Sequence, residues 1–128
     1  MSSQDDRPPV WIGHITLATR DLSGTHDFMI GLGMRPVADG DKFAVLELRG
    51  GTHLVVLQSD SADVGPVGFD LMVEDIDATH QEFVEKFREQ GIRPSEIEPG
   101  SIHSSFRMTS PVGHVVTFNS THVSDQPV

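Results

Sequence analysis

The chain contains no cysteine, so it has no disulfide, no thiolate nucleophile and no cysteine metal ligand. The absence fits a reducing compartment, and it leaves His, Asp and Glu as the side chains able to hold a metal. Basic residues are scarce: 9 Lys and Arg stand against 19 Asp and Glu, for a formal net charge of −10. Phosphate backbones and anionic lipid surfaces repel such a chain, which argues against nucleic acid and membranes as partners. No apolar run approaches the length of a membrane span, and the first residues, Met-Ser-Ser-Gln-Asp-Asp-Arg, lack the basic-then-apolar order of a signal peptide. The expectation is a soluble, cytoplasmic protein that meets a small molecule or another protein. Its 128 residues suffice for one domain with a real core.

What the chain does contain is a repeat. Gly13-His14-Ile15-Thr16-Leu17-Ala18-Thr19-Arg20-Asp21-Leu22 returns in degenerate form as Gly68-Phe69-Asp70-Leu71-Met72-Val73-Glu74-Asp75-Ile76. His14 aligns with Gly68, Leu17 with Leu71, and Asp21 with Asp75. The same offset lays Thr25-His26 on Thr79-His80, and Gly33-Met34-Arg35-Pro36 is echoed by Gly91-Ile92-Arg93-Pro94. Such internal similarity predicts two copies of one structural module. Each copy reads as strand, helix, three strands. In the first, a strand over 11–19 leads to a helix capped by Asp21 or Ser23 and stopped by Gly33. Strands follow near 34–38, 42–49 and 52–58, with Gly50-Gly51 as a hairpin turn. In the second, a strand over 67–74 leads to a helix capped by Asp75 or Asp77. Its end at Gly91 predicts about one extra turn. Strands near 92–98, 103–109 and 114–119 complete the copy. The organisation expected is a flexible arm over 1–10, a first module over 11–59, a linker over 60–66, a second module over 67–120 and a frayed tail over 121–128 that contains His122.

His14-x-x-Leu17 leading into Asp21-Leu22, Gly33-Met34 after the first helix, and Ser110-Pro111-Val112-Gly113-His114 together resemble the vicinal-oxygen-chelate superfamily. That group includes glyoxalase I, the fosfomycin- and bleomycin-resistance proteins, extradiol dioxygenases and methylmalonyl-coenzyme A epimerase. The resemblance implies an α+β fold of two βαβββ modules, each a curved, mostly antiparallel sheet with one helix, enclosing one cavity and often assembled as a homodimer. It also implies up to four metal ligands, carried over here to His14, Val56, Gly68 and Thr117. Of these only His14 can ligate, and a catalytic metal normally takes three protein ligands. No bound metal or other cofactor is therefore expected. A divalent metal on a nonstandard set of His14, Glu47 and His103 is the alternative.

Strand alternation places Ile15, Leu17 and Thr19 on one face and His14 and Thr16 on the other, the cavity side. By the same reasoning and the family register, the cavity is lined by Thr16, Leu54, Val56, Gln58, Asp70, Met72, His103, Ser105, Arg107 and Thr117, with Gly68, Val45, Glu47 and Asn119 also inward. Asp70 and Arg107 form an ion pair or Arg107 captures an anion. His26 and His80 lie on the helices' buried stripes, and His53 and His114 read as structural residues after turns. The function expected is a glyoxalase/bleomycin-resistance-like protein that binds a small-molecule ligand. The alternative is a lyase, isomerase or dioxygenase-type enzyme in which His14 and Glu47 are catalytic, as acid and base or around that nonstandard metal.

Overall fold

A computed structural model describes residues 6–121 and Pro127; the rest of the tail, with His122, lies outside the described residues. The chain runs β1 (His14–Thr19), α1 (Leu22–Leu32), β2 (Arg35–Asp39), β3 (Phe43–Glu47), β4 (His53–Gln58), β5 (Gly65–Val73), α2 (Ile76–Lys86), β6 (Ser105–Thr109) and β7 (His114–Ser120). Two mixed sheets result, ordered β1-β4-β3-β2 and β5-β7-β6. In each, the first strand of the module pairs parallel with the last, and the remaining pairs are antiparallel. This is the α+β arrangement of two helix-bearing modules that the repeat predicts, and neither sheet closes on itself.

Both helices start for the same reason. Asp21 accepts a hydrogen bond from the Gly24 amide and Asp75 from that of Ala78, each at 3.0 Å, so a side-chain oxygen takes up a free first-turn donor. Gly33 ends α1 at φ 121°, a left-handed backbone that glycine adopts without strain. The extra turn expected of the second helix is present as a separate 3-10 turn over Arg88–Gln90, and both α-helices span 11 residues.

One strand expectation is corrected. Residues 92–98 do not form a strand; they touch β6 through a single bridge between Glu98 and Ser105 and a bond from the Ser95 amide to the Arg107 carbonyl. Three steps from Ser95 to Glu98 match two from Arg107 to Ser105, so the ladder cannot stay in register. Pro94 and Pro99 supply no amide donors.

The core lies between the helices and one face of each sheet. Phe28, Met29 and Leu32 of α1 meet Leu17, Ala44, Leu46, Leu54 and Val56, while Phe83 of α2 meets Phe106 and Phe118. The two halves form one cluster: Phe28 and Phe87 rings lie 5.8 Å apart, and Lys86 Nζ donates to the Gly31 carbonyl at 2.8 Å. The opposite sheet faces are left uncovered.

Candidate functional site

Register decides which side chains reach the uncovered face. His14 stands beside His53, Thr16 beside Val55 and Ala18 beside Leu57 across the β1–β4 pair. Glu47 stands beside His53, Val45 beside Val55 and Phe43 beside Leu57 across β3–β4. Paired residues share a face, so this surface carries a polar end of His14, His53 and Glu47 and an apolar run of Val55, Val45, Leu57 and Phe43. Leu54 and Val56, expected to face inward to a cavity, are instead fully buried against the helices beside Ile15 and Leu17. The reason is a slip of one residue. The turn at Arg49–Gly51 is followed by Thr52 before β4 starts, whereas Gly113 leads straight into β7. A one-residue shift reverses every side chain of a strand. Gln58 shares the helix-side face as well: its Oε1 accepts from the Leu22 amide at 3.0 Å and its Nε2 donates to the Arg20 carbonyl at 2.9 Å, tying down the start of α1.

At the polar end, Arg35 on β2 donates from Nε to Glu47 Oε1 at 2.7 Å, with Nη2 on the same oxygen. The other carboxylate oxygen, Oε2, accepts from His53 Nε2 at 3.1 Å. The hydrogen bonds from Arg35 and then His53 hold the Glu47 pKa below the usual carboxylate value, so it is an anion that fixes the proton of His53 on Nε2. The His14 ring lies 5.6 Å from that of His53. Four strands thus contribute one row: Arg35, Glu47, His53, His14. Sequence reasoning missed His53, and the signal that finds it is its place opposite Glu47 across a short hairpin.

On the second sheet, Asp70, Thr117 and Arg107 occupy one row, and Met72, Asn119 and Ser105 the next. The expected Asp70–Arg107 pair is not made; Arg107 Nη2 bonds Glu98 at 3.3 Å instead. His103 bonds the Ser120 carbonyl at the sheet's end and does not join His14 and Glu47. Among the described residues no three His, Asp or Glu side chains are grouped to hold a metal. The usual ligand places, corrected for the slip, are His14, Val55, Gly68 and Thr117. They offer one imidazole, an aliphatic group, no side chain and a neutral hydroxyl, and this set does not fit a divalent metal.

The remaining histidines among the described residues are committed. His80 donates from Nε2 to the Ser95 carbonyl at 2.8 Å and stands edge-on to Phe106, and His26 bonds Asp27. His114 is buried at the junction of the modules, where its Nε2 meets Thr19 Oγ1 at 3.0 Å, and burial lowers its pKa. Two hollows, of about 670 Å³ beside Arg20, Asp63, Val64 and Val112 and about 420 Å³ beside Asp21, Ser23, His26, Asp39 and Asp41, lie away from the row.

No protein-family model matches the sequence, and no curated protein does. Solved structures do. A lactoylglutathione lyase from Agrobacterium tumefaciens matches at 17% identity over 89% of this chain and 96% of its own, with a TM-score of 0.69. An antibiotic binding protein from a Streptomyces species matches at 18% identity over 87% and 95%, with a TM-score of 0.69. A glyoxalase/bleomycin resistance protein/dioxygenase from Alicyclobacillus acidocaldarius matches at 21% identity over 93% and 96%, with a TM-score of 0.62. Identities this low speak to architecture alone, and on that ground the chain has the vicinal-oxygen-chelate fold.

Proposed function

We propose that this protein binds a small organic molecule on the uncovered sheet face, without a metal in the fold's usual ligand places. The observation that carries this reading is the composition of those places: Val55, Gly68 and Thr117 cannot complete a site around His14, while the surface around them remains open. Phe43, Leu57 and Met72 are 40%, 40% and 47% exposed on that face, and an apolar surface with a few convergent polar groups is the usual make-up of a ligand site. The shared fold of an antibiotic binding protein supports the reading. The working form is a homodimer. Val10, Trp11 and Ile12 are 78%, 70% and 62% exposed at the His14 end of β1, where Thr52 Oγ1 and the His53 amide hold the backbone of Ile12 and Gly13. A second copy seated on this segment covers the apolar side chains and closes one end of the face. Sedimentation velocity should give a dimer; a strict monomer at micromolar concentration contradicts this part.

The binding reading is tested by thermal melts against a panel of small aromatic and aliphatic metabolites and antibiotics, with each compound analysed after incubation. A ligand that binds the native state alone raises the melting temperature by mass action. Stabilisation with the compound recovered unchanged is the expected result, and no stabilisation across the panel contradicts it. A second reading, an isomerase or lyase, is favoured by one observation: a carboxylate-oriented imidazole beside another imidazole can move a proton. A compound recovered chemically altered selects that reading.

A further inference from the structure

We infer that the ligand of this face is a neutral, flat aromatic alcohol, its ring lying over Val45 and Val55 and its hydroxyl donating to the His53 imidazole, beside His14. The inference rests on the small-molecule reading above and names the ligand class for that site.

Hydrogen-bond accounting gives the polar half. Glu47 receives Arg35 on one oxygen and the His53 Nε2 proton on the other. A neutral imidazole has one donor and one acceptor nitrogen, so His53 Nδ1 is left as an acceptor. Among the described residues neither Nδ1 of His53 nor either nitrogen of His14 has a hydrogen-bond partner. The site therefore presents a lone pair held in one orientation by Glu47 and Arg35, and what satisfies a lone pair is a donor, such as a hydroxyl.

Strand geometry gives the apolar half. Side chains two apart on a strand lie about 6.6 Å from each other, and neighbouring strands lie about 4.8 Å apart. Val55 and Val45 therefore form a platform one step from the His53–Glu47 pair, and Leu57 and Phe43 extend it by another step. That spacing matches a one- or two-ring planar body with its oxygen at the imidazoles. Charge supplies the third element. A chain of net charge −10 disfavours anions at long range, and Glu47 is already neutralised by Arg35, so the row has no carboxylate left to attract a cation.

The test uses the full chain and two fluorescent probes of matched shape, 2-naphthol and 2-methoxynaphthalene, titrated at neutral pH. One has the hydroxyl donor; the other has a methyl in its place. The expected result is 2-naphthol binding about 10-fold tighter, the size of a buried hydrogen bond to a fixed acceptor. In His53→Phe the ratio of the two affinities should fall to about 1, and in Glu47→Gln, which frees the His53 tautomer, it should fall part of the way. A general loss of folding moves both probes together and leaves the ratio intact. Equal binding of the two probes, or selectivity that survives His53→Phe, overturns the inference while leaving small-molecule binding in place. Failure of both probes to bind overturns the aromatic class, and the metabolite panel then tells whether the face binds anything else.

Discussion

Thr19 joins the modules through a single hydroxyl. Its Oγ1 lies 2.8 Å from Thr25 Oγ1 of α1 and 3.0 Å from His114 Nε2 of β7, and all three side chains are buried. Replacing Thr19 by Val strips a partner from two buried polar groups and should cost about 1–3 kcal/mol in chemical denaturation. Burial lowers the His114 pKa below its ordinary value of 6.5, so the folded protein keeps the imidazole neutral where the unfolded chain protonates it. The unfolded state then binds more protons, and stability falls as pH drops below about 6.5 toward the lowered folded value. Glu47 acts in the same direction at lower pH, its depressed pKa giving stability that is lost on further acidification. Melting temperature measured against pH should therefore fall in two stages, and His114→Gln should flatten the upper one. An unchanged upper stage in that variant would place the titration elsewhere.

At the scale of elements, the helices were the most legible parts of the sequence because their signals are local. Asp21 and Asp75 cap them, and Met29 and Phe83 fall on their buried sides as read, where Phe28 and Leu32 also pack. First strands were legible for a similar reason, since His14-Ile15-Thr16-Leu17 alternates as its burial does. The later strands were legible in position, 92–98 apart, but the facing of β4 was not. Their facing depends on how many residues a turn consumes, and the five residues of Leu48–Thr52 are one more than the four of Ser110–Gly113. Reading His53, like His114, as a structural residue after a turn therefore put Leu54 and Val56 on the wrong side and hid His53. Residues 92–98 misled differently. Ile92 and Ile97 pack toward the core as a strand's would, but the prolines and the uneven match to β6 prevent a ladder.

Across the whole molecule, two modules close one core and leave the opposite face of each sheet uncovered. The aromatic side chains divide accordingly: Phe83, Phe87, Phe106 and Phe118 are buried within 5.2 to 6.1 Å ring contacts, whereas Phe43 lies at the open face. The duplication is plain in the fold and uneven in the chemistry. The first module keeps His14 and adds Arg35, Glu47 and His53, and the second offers Gly68, Asp70 and Thr117 at comparable places. A fold associated with metal chelation thus presents, in this chain, one oriented imidazole, His53, with His14 next to it and an apolar platform alongside. The most direct measurement is elemental analysis of protein purified without added metal or chelator, paired with ligand melts repeated in excess EDTA. The account predicts transition metal well below one equivalent and ligand-induced stabilisation that chelation does not alter. Stoichiometric zinc, nickel, iron or manganese, or stabilisation abolished by EDTA, would contradict it.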